Sequence, residues 1–195
     1  MPDLNNVIGA AEDFDAAVDK FFETHLRGRP ELDKLMYAAS AAGDHGALWA
    51  VLAGVEGLLR SPGTSWRPFL RAGTALATES ALVNGLVKLA FRRQRPVRVE
   101  PHPLRFRTPL TSSFPSGHAS SAFFAAALLR RRHSWPLYYT LAVVVASSRI
   151  YVRTHHASDV VAGALLGAAL GEVARRLYPL WPPAGVSTGV GTKAD

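Results

Sequence analysis

From Phe14 onward the apolar positions Phe14, Val18, Phe21, Phe22 and Leu26 recur at helical spacing, while Asp15, Asp19, Lys20 and Glu23 fall on the other face. The pattern predicts an amphipathic helix that lies in a membrane interface or packs on a helical bundle. Pro30 ends or resets it, because a proline disfavours helical geometry in the residue before it. Residues 1–34 therefore read as an N-terminal amphipathic, interfacial segment. The first fifteen residues carry neither a basic region nor a continuous apolar stretch of the kind that marks a cleaved signal peptide.

Beyond Pro30 the pattern changes from amphipathic to nearly continuous. Five apolar stretches follow, approximately Leu35–Leu59, Phe69–Phe91, Ala119–Leu129, Pro136–Ile150 and Val160–Leu177. A spanning helix needs about 20 mainly apolar residues. The first, second and fifth reach that length; the third and fourth do so only if they start in the preceding loop and end with snorkelling arginines. The expectation is an all-α integral membrane bundle of about five transmembrane helices over residues 35–181. A soluble protein with buried helices is the alternative, and the short RSPGTSW link between two such apolar helices argues against it. In the last stretch Gly163, Gly167 and Gly171 repeat every four residues, a spacing that lets another helix backbone approach closely.

Two regions break the apolar pattern. Arg92–Pro115 contains Pro96, Pro101, Pro103, Pro109 and Pro115, a density incompatible with helix, and connections this long are usually functional or disordered. Residues 182–195 are small and polar and read as a disordered tail.

Charge narrows the partners. The 195 residues carry a net charge of +7 and no cysteine, which points to an anionic partner and excludes disulfides, thiolate catalysis and cysteine zinc sites. Arg92, Arg93, Arg98, Arg105 and Arg107 flank the spans without interleaved aromatics other than Phe106, so an anionic headgroup suits them better than nucleic acid. Arg130, Arg131 and Arg132 fall at the opposite membrane face. A compact basic run of that kind marks the cytoplasmic side, which puts the other face outside the cell.

Three clusters sit at span ends on that other face: Lys88 with Arg95-Pro96; Pro115-Ser116-Gly117-His118; and Ser148-Arg149 with His155 and Asp159. Lys88, Arg95 and Arg149 supply donors with no competing acceptor, suited to a tetrahedral dianion. Ser116 and Gly117 stand where a helix begins, and its unpaired N–H groups favour an anion. If helix starts near His155, Asp159 meets the imidazole one turn on and fixes its tautomer, leaving the other nitrogen as a nucleophile toward phosphorus. His118 is then the acid for the leaving group and afterwards the base for water. The cations neutralise the transition state, so no metal or other cofactor is needed.

Eleven positions in these clusters resemble the three signature motifs of the type-2 phosphatidic acid phosphatase superfamily, the lipid phosphate phosphatases, whose site is shared by acid phosphatases and vanadium haloperoxidases. The resemblance implies a multi-pass cell-membrane enzyme acting on a phosphomonoester or diphosphate of a polyprenyl or glycerolipid. It implies His155 as nucleophile, His118 as acid and base, Asp159 as orienting group, and Lys88, Arg95, Ser116, Gly117 and Arg149 as phosphate ligands. Family members often have six spans, the first of which the amphipathic segment replaces here. A vanadate-dependent haloperoxidase and a non-catalytic lipid-binding protein are the rival readings. His25, His45, His102, His133 and His156 read as structural, Glu79 and Asn84 as polar groups facing the bundle, and Asp44 as a residue to test. Oligomeric state is not encoded in any of these features.

Overall fold

The computed structural model of the chain describes residues 3–60, 66–97 and 111–180. The tail and most of the proline-rich connection, including Arg98, His102, Arg105 and Arg107, lie outside the described residues, as does Trp181.

Helix α1 spans Leu4–His25, with Asp3 as its N-cap accepting from the Asn5 N–H. Gly28 then turns the chain at a positive φ of 79°, and Pro30 opens α2, Pro30–Ala42, where a missing N–H costs nothing. Pro30 thus resets the helix. The stretch Leu35–Leu59, expected as one span, is two helices: α2 ends at Ala42, a 3₁₀ turn covers Asp44–Gly46, and α3 runs Ala47–Arg60. Gly46 permits the break by taking a φ of 68°.

The second stretch holds together. Helix α4, Trp66–Ser80, continues through a π turn at Ala81–Leu86 and a 3₁₀ turn at Val87–Ala90, so the chain stays helical to the residue before Phe91. Helices α5 (Gly117–Leu129), α6 (Trp135–Tyr151) and α7 (Ala157–Leu177) complete the bundle, and no strand occurs among the described residues. By length and composition α7 is the one described helix able to cross a membrane; Ala47–Leu59 and Gly117–Leu129 are apolar but shorter.

Helix α5 is the centre, with ten of its thirteen residues buried, and α4, α6 and α7 surround it. The closest approach is to α7. A Cβ on Gly163, Gly167 or Gly171 would come within 2.4, 2.0 or 2.5 Å of the carbonyl oxygens of Ser116, Ser120 and Phe124. The three glycines therefore set the α5–α7 distance along two turns, which fixes the two histidine-bearing ends relative to each other. Glu79 is buried between α4 and α5 and accepts hydrogen bonds from the Ser120 and Ser121 hydroxyls, a structural pairing of the kind expected for a buried ionisable group.

Outward-facing positions are apolar. Val51, Val55 and Leu58 on α3, Phe69 and Leu70 on α4, Leu137 and Val143 on α6, and Val161, Leu165, Val173 and Leu177 on α7 are all exposed. Apolar stripes of this extent mark a surface that meets something other than water.

Candidate active site

Each cluster reaches the site by a different route. Lys88 is the last cation of the α4 run and is 8% exposed; the chain leaves the helix at Phe91 in extended geometry and carries Arg95 back over the bundle. Ser116 caps α5, its hydroxyl accepting from the Ala119 N–H at 3.4 Å, so Gly117 and His118 form the first turn. A Cβ on Gly117 would lie 2.5 Å from Asn84 Oδ1, so a larger residue here would have to push that side chain out of the cleft. The α6–α7 loop is drawn over the Arg149 carbonyl, which accepts from the Thr154 and His155 N–H groups and the Thr154 hydroxyl.

Six of the eight expected residues, Lys88, Arg95, Gly117, His118, Arg149 and His155, line one cleft of about 1250 Å³. Ser116 and Asp159 do not line it. Both are fully buried behind it, joined by a hydrogen bond from the Ser116 N–H to the Asp159 carbonyl.

His155 is 3% exposed. Its Nδ1 donates to the Ser113 carbonyl at 2.8 Å, and Arg95 Nη1 lies 3.2 Å from Nε2. This pattern assigns the ring proton to Nδ1 and leaves the Nε2 lone pair facing the cations. Its pKa is lowered to about 3: burial disfavours the charged ring, the Asp159 carboxylate works the other way, and the charges of Arg95, Arg149 and Lys88 lower it further. The ring is thus neutral at physiological pH.

The expected contact between His155 and Asp159 takes a different form. Helix α7 begins at Ala157 with His156 as N-cap, so His155 precedes the helix and the two are not neighbours on its surface. Asp159 Oδ2 lies 3.8 Å from Nδ1 and instead accepts from the Ser113 hydroxyl at 2.5 Å and the His156 N–H at 2.9 Å. Oδ1 accepts from Arg93 at 2.7 Å. Asp159 acts on the imidazole through charge, while the carbonyl of Ser113 sets the tautomer.

His118 has a partner from a distant segment. Its Nε2 is 2.7 Å from Asp44 Oδ1, and Gly43 makes room, since a Cβ there would sit 3.0 Å from the ring. Arg149, 1% exposed, is steadied by the buried Ser40 hydroxyl on α2. Sequence reasoning missed Ser40 and Ser113, and it gave Arg93 to an anionic headgroup, whereas Arg93 pairs with Asp15 and Asp159; all three act on motif residues across long sequence separations. Three further histidines have other settings: His25 stacks on Phe21, His133 is exposed, and His156 caps α7 and meets the Gln94 carbonyl at 3.3 Å.

Below the cations the cleft wall on α4 is graded. Lys88 stands at one end, Asn84 and Ser80 follow, then Ala77, Leu76 and Gly73, each about a turn further in. Asn84 donates to the Ser80 hydroxyl at 3.1 Å. From Lys88 to Gly73 this spans roughly 20 Å at 1.5 Å per residue.

Fold and site together define a helical bundle with a cationic, two-histidine cleft at one end. The chain belongs to the PAP2 superfamily, whose model matches residues 68–182. Among curated proteins it is 35% identical over 162 residues to the decaprenylphosphoryl-5-phosphoribose phosphatase of Mycobacterium tuberculosis, covering 82% of this chain and 88% of that one. The Mycolicibacterium smegmatis enzyme of the same name is 37% identical, over 71% of this chain and 74% of that one. A probable lipid phosphate phosphatase of Arabidopsis thaliana is 34% identical over 43% of this chain and 53% of its own. In fold the chain resembles the transmembrane PAP2-type phosphatidylglycerolphosphate phosphatase of Bacillus subtilis, with a TM-score of 0.62 at 24% identity, over 89% of this chain and 86% of that one.

Proposed function

We propose that this protein is a multi-pass membrane phosphatase that hydrolyses a lipid-linked phosphomonoester or diphosphate through a phosphohistidine. The observation that carries the reading is the graded cleft: three cations and a neutral imidazole at one end, then small and apolar side chains. Such a wall accepts a molecule with a phosphate head and an apolar body.

Lys88, Arg95, Arg149 and the N–H groups of the first α5 turn hold the phosphate oxygens. The substrate displaces Arg95 from His155, whose Nε2 attacks phosphorus. The N–P bond forms as the P–O bond to the leaving group breaks, and His118 donates a proton to the departing oxygen. Because Asp44 engages Nε2 of His118, Nδ1 is the nitrogen left for that transfer. The phosphorylated ring keeps its Nδ1–H on Ser113 and is cationic, and the charge of Asp159 stabilises it. Neutral His118 then takes a proton from water, which attacks phosphorus, breaks the N–P bond and releases phosphate.

Orientation follows from the far end of the bundle. Arg67, Arg71, Arg130, Arg131, Arg132, Arg175 and Arg176 gather there, with exposed Trp66, Trp135 and Tyr178. The aromatics fit a membrane interface and the basic cluster favours its cytoplasmic side, which supports a site that opens outside. Length of α7, the continuous α4 run and the apolar outer stripes support about five spans. Ser80 and Asn84, between the phosphate subsite and the apolar wall, favour a substrate with hydrogen-bonding groups between phosphate and lipid, as in a polyprenyl-linked phosphosugar like that named for the mycobacterial relatives.

Phosphate release should be measured with purified protein over polyprenyl-linked phosphoribose, polyprenyl diphosphate, phosphatidic acid and phosphatidylglycerophosphate. Release from at least one, abolished in His155→Ala, is expected. No release from any, or full activity in His155→Ala, overturns the reading.

A further inference from the structure

The amphipathic helix α1 is mounted in an unexpected way. Its acidic edge faces the bundle, with Phe22 packed edge-on against Tyr151, while the edge formed by Val7, Phe14 and Phe21 does not. Asp15, 7% exposed, accepts from the Ser158 N–H at 2.7 Å and the Ser158 hydroxyl at 2.8 Å at the start of α7. It also accepts from Arg93 Nη2 at 2.5 Å, while Arg93 Nη1 reaches Asp159 at 2.7 Å. One turn along α1, Asp19 pairs with Arg27 and with Arg153, and Glu23 pairs with both as well.

Those arginines act on the loop that carries His155. Arg27 donates to the Ile150 and Tyr151 carbonyls at the end of α6. Arg153 has a φ of 53°, a left-handed conformation that a side-chain-bearing residue holds only when its surroundings enforce it. Bonds from the Arg153, Thr154 and His155 N–H groups to α6 carbonyls shape that turn, and the acids of α1 hold the Arg153 guanidinium beside it. Meanwhile Val7, Phe14 and Phe21, seven residues apart and thus one stripe, are each about half exposed.

We propose that α1 is a brace between the bilayer and the catalytic loop: Asp15 and Arg93 are positioning residues for Asp159, and the Val7–Phe14–Phe21 stripe seats in the lipid interface. The occupant is lipid because α1 docks on the start of α7, whose own outward residues Val161 and Leu165 are exposed and apolar. Asp15 and Ser158 hold α1 at the end of α7 that carries the site. An amphipathic helix held there buries its apolar side at the headgroup boundary.

The brace rests on the phosphatase reading, and its test separates the two. In Asp15→Asn and in Arg93→Ala, kcat should fall between about 10- and 100-fold, with KM and inhibition by vanadate, used as a phosphate analogue, little changed. Arg93→Lys should recover part of the loss. The double variant should be no worse than the poorer single, because both act on one carboxylate. Wild-type kcat in both singles, or losses that simply add, overturns the positioning role, whereas a wild type that releases no phosphate from any lipid overturns the phosphatase reading instead.

The lipid end is read without turnover. The chain has no cysteine, so nitroxides placed through Phe14→Cys, Phe21→Cys and Lys20→Cys report single positions in vesicles. The first two should be open to oxygen and shielded from a water-soluble nickel chelate, with the third reversed. Equal chelate access at all three overturns the brace.

Discussion

The two histidines of the site are housed differently. His155 is buried, has a partner on each ring nitrogen and sits in a loop pinned from α1, α6 and the Arg93 segment. His118 is partly open, and its partner Asp44 has a half-exposed side chain. The contrast fits the chemistry proposed for them. A nucleophile gains from a fixed line of attack, whereas a group that gives a proton and then takes one from water must reach solvent within each cycle.

Removing each side should therefore have different signatures. His155→Ala should lower kcat by about 10⁴-fold or more, whatever the leaving group, because no covalent step remains. His118→Ala should cost about 10²- to 10⁴-fold on a lipid phosphate. It should cost much less on p-nitrophenyl phosphate, whose leaving group departs without a proton. Equal losses on both substrates would show that His118 is not the acid.

Asp44 sharpens the comparison further. A carboxylate 2.7 Å from Nε2 orients the ring and supports its protonated form. Asp44→Asn should reduce kcat about tenfold and move the alkaline limb of the rate profile to lower pH, since the charge favouring the imidazolium is gone. An unmoved limb would leave Asp44 with no part in the proton transfer.

What was legible in the sequence divides along the same line. That Lys88, Arg95, His118, Arg149 and His155 would meet in one cleft was readable because each motif is local and stands at a helix end. Asp44 as the partner of His118 was not, since 74 residues separate them and the apolar run from Leu35 masks the break at Gly43–Gly46. Helical periodicity told that Phe14 and Phe21 share one face of α1 and Asp15 and Asp19 another. It could not tell which face the protein covers, because that depends on Arg93 and Arg153, far along the chain. Likewise the four-residue step from His155 to Asp159 implied a helical pair, but His156 takes the N-cap and starts the helix two residues later.

The smallest expected effect tests the burial of His155 itself. Its ring stays neutral in the folded protein down to a pKa of about 3, whereas an exposed histidine titrates near 6.5. Between those values the unfolded chain binds a proton that the folded one refuses. The contribution to stability is therefore complete above about pH 6.5 and is lost progressively as pH falls toward 3. In detergent without ligand, the unfolding midpoint should decline between pH 7 and 5. The decline should be shallower in His155→Gln, which has no ring to protonate, and the carboxylates common to both proteins cancel in the difference. Parallel curves would mean that His155 protonates as readily in the fold as outside it, and the distinction drawn between a sealed nucleophile and an open acid would fail at its first half.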